Sequence, residues 1–136
     1  MTLLRRVAFV EERREVEAFY REQLGRDVAL APEQDVIVAR DDGVIVGALR
    51  LCPEAGTLLL RTMVVAKDRR GEGIGGALLA DASREIGARE CWCFPWSYLD
   101  RLYGAVGFER VPDERVPDAL RHRRDDGCIA MLRARR

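Results

Sequence analysis

Two apolar spacings alternate along the chain, and their order outlines a fold. Leu3 to Phe9 reads as a first strand, followed by a helix over Glu11 to Leu24 that keeps Val16, Phe19, Tyr20 and Leu24 on one face. Glu11 and Glu12 suit the positive end of that helix, and Gly25 supplies its stop. Val36 to Ala39 and Val44 to Leu51 are β-branched runs joined through Asp41, Asp42 and Gly43, a hairpin signal. Leu58 to Val65 is a fourth strand, set off from the third by Pro53 and Gly56. Ile74, Ala77, Leu78, Ala82 and Ile86 then recur at helical spacing, with Gly87 as the stop. Cys91 to Phe94 predicts a fifth strand and Ser97 to Val106 a short helix with Ser97 as its candidate cap. Two last strands, Phe108 to Val111 and Cys128 to Leu132, flank a polar loop holding Pro112 and Pro117. The order β-α-β-β-β-α-β-α-β-β predicts an α+β fold with a mixed sheet.

Composition narrows the class. At 136 residues, 48% hydrophobic and 34% charged, with no internal repeat or linker, the chain reads as one folded domain over 1–136. Its 23 basic and 23 acidic residues cancel, which leaves no broad field for a polyanion, so nucleic acid is not expected as a partner. Lys67 is the sole lysine, and a bias of that breadth reads as GC-rich coding rather than as many separate anion sites. Val7 to Val10 is too short for a leader core and runs into Glu11, which predicts a cytoplasmic protein. The longest apolar stretch, Thr57 to Ala66, is broken by Arg61 and predicts no membrane span. Cys52, Cys91, Cys93 and Cys128 form no CxxC pair and His122 is the lone histidine, so reduced thiols are expected and a metal site is not.

The chemistry concentrates where the fourth strand runs into the second helix, at Arg69-Arg70-Gly71-Glu72-Gly73-Ile74-Gly75-Gly76. A helix start exposes unpaired N–H groups at the positive end of its dipole, and glycines let a phosphate approach them. Arg70 can add a charge-assisted contact. A P-loop is excluded, because no Gly-Lys-Ser or Gly-Lys-Thr follows the glycines. Gly71 to Gly76 does satisfy the dinucleotide pattern GxGxxG, but that pattern belongs after the first strand of a parallel sheet, and here four strands precede it. A glycine turn without a ligand is the plain alternative.

Met63-Val64-Val65, then Arg70-Gly71-Glu72-Gly73-Ile74-Gly75, resembles the acetyl-CoA motif of the GNAT superfamily of N-acetyltransferases, with Arg70, Gly73 and Gly75 filling its core. Tyr103-Gly104-Ala105-Val106-Gly107-Phe108 resembles the tyrosine and Gly-Phe element found downstream in that family. The resemblance implies a six- or seven-stranded sheet with helices on both faces, its fourth and fifth strands splayed around acetyl-CoA. It implies that Met63, Val64 and Val65 bond the pantetheine arm through backbone and that Gly71, Glu72, Gly73, Ile74, Gly75 and Gly76 hold the pyrophosphate beside Arg70. Tyr103 would adjoin the cofactor's sulfur as the catalytic proton donor, and the acceptor would be a primary amine, of a small metabolite such as an amino acid or of a peptide or protein N-terminus. Relatives are often dimers, so a homodimer is a further expectation.

The chain also departs from that family. The glutamate that often serves as base on the fourth or fifth strand is missing from Arg61-Thr62-Met63 and Cys91-Trp92-Cys93, which leaves water or His122 to take the acceptor's proton. Trp96 stands where relatives have an asparagine. A cradle without a base also suits a non-catalytic acyl-CoA sensor, although Tyr103 would then have no purpose. Trp92, Phe94 and Trp96 alternate onto one face, as core or as an acceptor wall. The arginines of Val116 to Arg124 read as a solvated run or as a clamp on an acceptor carboxylate.

Overall fold

The computed structural model describes residues 2–6 and 10–136. Strands β1 (Thr2–Arg6), β2 (Asp35–Asp41), β3 (Val44–Glu54) and β4 (Thr57–Val65) form an antiparallel meander. β5 (Cys91–Cys93) joins β4 in parallel, and β7 (Ala130–Arg133) lies antiparallel between β5 and β6 (Glu109–Val111). Among the described residues this makes one seven-stranded sheet in the order β1-β2-β3-β4-β5-β7-β6. Helices α1 (Val10–Leu24), α2 (Ile74–Ile86) and α3 (Asp100–Gly104) intervene in the sequence that the apolar spacing predicts. The Val7 to Phe9 part of the expected first strand lies outside the described residues.

Turn chemistry sets the meander. Asp42 and Gly43 both take positive φ, 49° and 80°, and Ala55 and Gly56 do the same at 53° and 76°, the backbone that a tight hairpin requires. β3 continues through Pro53 instead of ending at Leu51, since beyond the Asp35–Leu51 pair its only neighbour is β4 and a proline is tolerated on a one-sided strand. Ser97 does not cap a helix. It begins a helical turn, Ser97–Leu99, and α3 proper starts at Asp100 with no side-chain cap.

One sheet face buries Ile37, Leu49, Leu51 and Leu60 against Leu78, Leu79, Ala82 and Ile86 of α2. Gly47 permits this approach, because a Cβ there would lie 2.9 Å from Leu78 Cδ1. The opposite face receives Val16, Phe19 and Tyr20 of α1 over Val36, Val38 and Ala48. Farther along that face, Val116 and Leu120 pack on Cys52, Leu59 and Trp92. The segment expected to be an open polar loop is thus a cover, two helical turns (Asp113–Arg115 and Asp118–Arg123) held down by Val116 between them and Leu120 in the second.

Arg133, buried at the end of β7, fastens the helices to the sheet. It donates to Gly87 O (2.6 Å) and Ser83 Oγ (3.0 Å) at the C-terminal end of α2, and to Val106 O (3.1 Å) after α3. A cation suits the negative end of a helix, and its loss would strand three acceptors. Arg133→Met keeps the apolar stem and should lower stability by about 2–4 kcal/mol in urea denaturation; a midpoint unchanged from wild type would show that these bonds contribute nothing net.

Candidate active site

β4 and β5 pair only over Leu58–Cys91, Leu59–Trp92 and Leu60–Cys93. Beyond Leu60 the edge of β4 that faced β5 runs on without a strand partner to Val65. The parting coincides with a bulge, since Arg50 pairs Arg61 and Ala48 pairs Val64, which leaves Leu49 opposite both Thr62 and Met63. Thr62 takes φ 56°, a left-handed conformation unfavourable for a β-branched residue, and such residues cost about 1–3 kcal/mol. Three hydrogen bonds hold it there: Tyr20 Oη donates to Thr62 O (2.8 Å), and Arg50 donates to Thr62 Oγ1 through Nε (3.1 Å) and Nη2 (2.8 Å). The bulge reverses side-chain alternation. Leu58 and Leu60 face the α2 layer, and so do Met63 and Val65, while Val64 joins the α1 layer.

After β4 the chain makes a helical turn, Lys67–Arg69, and enters α2 through glycines. Gly71 and Gly73 have φ 82° and 84°, and Gly73, at the cap position, offers no side-chain bond to the first N–H groups of the helix. Arg69 fixes this loop, bonding Asp41 Oδ2 (2.8 Å) at the end of β2 and both oxygens of Glu72 (3.0 and 3.1 Å). Glu72 is therefore turned onto Arg69, while Arg70 is exposed and extended. The side chain of Ile74 is in the core. Only the backbones of Glu72 and Ile74 can serve an incoming anion. At Gly75 a Cβ would stand 3.7 Å from Val65, 3.8 Å from Met63 and 3.9 Å from Leu102, which places the helix start directly above the parting strands.

A cavity of about 360 Å³ occupies the parting. Its lining includes the buried Val64, Cys93 and Tyr103, the half-buried Met63 and Phe94, and the exposed Trp96, His122 and Asp125. Tyr103 is 5% exposed and meets Phe108 edge-on at 6.0 Å. Burial, with the Cys93 sulfur nearby, raises its pKa above the ordinary phenol value. Burial also pushes the Cys91 thiol up to about 12 and Cys93 well above 9.0, so neither is a thiolate near neutral pH. Both face α2, whereas Trp92 is core, stacked on Phe94 at 6.4 Å. Of the alternating aromatics, Phe94 and Trp96 are walls of the cavity, and Trp96 is 50% exposed.

The arginines read as a solvated run, or alternatively as a clamp, are engaged in ion pairs. Arg121 pairs Asp118 (3.2 Å), Arg124 pairs Asp113 (2.8 Å), and Arg123 makes a two-pronged bond with Glu54, through Nε at 3.0 Å and through Nη2. That bond holds the Glu54 carboxyl below its ordinary pKa of 4.5. His122 Nε2 is 3.7 Å from the same carboxylate. Sequence reasoning missed Arg61, Arg26 and Asp125 as cavity residues. The one available signal was Arg61 itself, a lone charge inside an apolar strand.

Split strands, an uncapped glycine-rich helix start and a buried tyrosine over one cavity define the class as an acyltransferase-type α+β domain. The signature of the Acetyltransferase (GNAT) domain family matches residues 32–110, more than half of the chain. The chain belongs to the GNAT acetyltransferase family. Among solved structures it is similar to Escherichia coli ElaA (TM-score 0.75, 15% identity, 98% of this chain and 99% of that one). An acyl-CoA N-acyltransferase from Pseudomonas aeruginosa gives TM-score 0.75 at 18% identity over 98% and 100%. N-acetylglutamate synthase from Neisseria gonorrhoeae, complexed with coenzyme A and N-acetyl-glutamate, gives 0.66 at 17% over 100% of this chain and 35% of that one. No curated protein matches the chain by sequence.

Proposed function

We propose that the chain is an acetyl-CoA-dependent N-acetyltransferase acting on the primary amine of a small acceptor by direct attack, with both substrates bound. One observation carries this reading: the free edge of β4 and a buried phenol line a single cleft, and the uncapped start of α2 stands against Met63 and Val65 of that same edge. The residues fit the coenzyme, because the glycines keep the helix N–H groups open and Met63 to Val65, paired to β3 on one side, have no strand partner among the described residues on the other, an edge suited to an extended amide chain. The fold shared with the gonococcal synthase, which holds coenzyme A, supports the same reading.

Met63, Val64 and Val65 would take the pantetheine arm. The N–H groups from Gly71 to Gly76 would take the pyrophosphate, with the Arg70 charge beside it. The bound coenzyme supplies an activated acyl thioester. Around it the protein's parts have separate tasks. The bulge would aim the Met63 or Val64 N–H at the oxygen where negative charge grows. Tyr103 would give its proton to the departing sulfur, and its raised pKa keeps it protonated at every working pH, so it adds no alkaline limb to the rate. The strand residues Arg61, Thr62, Met63 and Cys93 bring no carboxylate to the cavity, and its one acidic lining residue, Asp125, is exposed to solvent, so the acceptor's proton would leave through water.

Three experiments test these assignments. Gly75→Val is the cleanest block of the cradle, since Gly75, unlike Gly71 or Gly73, has no positive φ to strain. Coenzyme A affinity measured by calorimetry should fall by at least about tenfold with the circular dichroism spectrum intact; retained affinity would sink the cradle. Tyr103→Phe should cut turnover by roughly ten- to a thousandfold with little change in coenzyme affinity, and full turnover would reduce Tyr103 to packing. The rate with a simple amine should climb with pH toward that amine's own pKa and keep this profile in His122→Gln; a plateau near neutrality that vanishes in His122→Gln would make the imidazole the base.

A further inference from the structure

The cavity carries more positive charge than the protein itself balances. Arg61 lines it at the first position after β5 leaves β4, half-buried, with no hydrogen-bond or ion-pair partner among the described residues. Arg50, beside it on the same face of the sheet, is 5% exposed and bonds only neutral oxygens, Thr62 Oγ1 and Gln34 Oε1 (3.1 Å). Arg123 also reaches the cavity, and its Glu54 partner is consumed by the two-pronged bond. Exposed Arg26 stands at the rim, with Asp125 as the one carboxylate in the lining.

A half-buried guanidinium without a bonded partner loses hydration that no direct contact replaces. Burial, then the Arg50 and Arg123 charges, work against the Arg61 cation, and the smaller influences of Cys52 and Glu54 only partly offset them. Other arginines of this chain either have an acidic partner, as Arg21, Arg69, Arg84, Arg121 and Arg124 do, or stand exposed to water, as Arg14, Arg26 and Arg70 do. An arginine left open in a concave site is built to receive its partner from outside, and its planar fork matches a carboxylate. Arg61 lies two residues before Met63, so an anion seated on it would hold a neighbouring amine close to the parting of the strands.

We infer that the acceptor is a small aminocarboxylate whose carboxylate seats on Arg61. This rests on the N-acetyltransferase reading and names the substrate class of that site. Arg50 is a positioning residue here, holding Thr62 and raising the local positive field. The shared chemistry is a compact oxyanion on an amine, so an aminophosphonate is the other source to separate.

The test compares free thiol release from acetyl-CoA with each of the twenty amino acids, its carboxamide, and the aminophosphonates of matching chain length. At least one amino acid should exceed its carboxamide in kcat/KM by about a hundredfold or more, and Arg61→Met should collapse that ratio, chiefly through KM. Arg61→Lys, which keeps the charge and loses the fork, should fall between them and guards against a folding defect in Arg61→Met. Equal use of acids and amides, or a ratio that survives Arg61→Met, overturns the inference, and preference for the phosphonates reassigns the anion. Melting shifts caused by the same amino acids, read with and without coenzyme A, require no turnover. If coenzyme A fails to bind, the transferase reading falls while an Arg61-dependent shift still supports the anion seat; if coenzyme A binds and no amino acid gives such a shift or turnover, the seat is wrong and the transferase reading stands.

Discussion

Everything in the site depends on one backbone distortion, the left-handed turn of Thr62 within β4. A strand that kept its alternation past Leu60 would present Met63 to the α1 side and Val64 to the α2 side. The inserted residue reverses this, so that Met63 meets the start of α2 and Val64 closes the α1 core. The conformation is unfavourable, and it persists because Tyr20 from α1 and Arg50 from β3 hold Thr62 from two directions. Burial raises the Tyr20 pKa, so its hydroxyl remains a donor across the working range. Helix α1, remote in sequence, thereby belongs to the machinery of the cleft.

The two faces of the sheet divide the labour. On the α2 side stand the glycine-rich helix start, Met63, Val65 and Tyr103, close-packed and nearly free of charge apart from the loop arginines. On the α1 side stand Arg50, Arg61 and Arg123, over which the Asp118–Arg123 turn is folded by Leu120 and by the bond to Glu54. The cavity lies at the parting of β4 and β5 and is lined from both faces, by Met63 and Tyr103 and by Arg61 and Arg123. A coenzyme approaching from one face and an acceptor from the other would meet without sharing a surface.

Much of this was legible in residue order. Period-two and helical spacing located the strands and helices, Asp42-Gly43 announced its hairpin, and Gly25 and Gly87 ended their helices, since each of these depends on a few neighbouring residues. The errors came where distant contacts overrode local preference. Pro53 stayed in β3 because β2 had already ended beside it, and Ser97 is no cap because it lies inside the Ser97–Leu99 turn, where its N–H bonds Gly127 O (3.0 Å). The proline-containing loop looked solvated because its arginines dominate the count, while Val116 and Leu120 decide its position.

The sequence by itself determined the family, the order of elements and the uncapped glycine start of α2, because these are properties of contiguous residues. Only the tertiary structure decided which charges are balanced. Arg121, Arg123 and Arg124 looked free and are paired, two within their own loop and one with Glu54, sixty-nine positions away. Arg61 looked like a mere interruption of an apolar strand, and it is a half-buried guanidinium facing the cavity with no partner among the described residues. Neutralisation of a charge depends on which groups lie within a few ångströms once the chain has folded, and no local pattern encodes that distance.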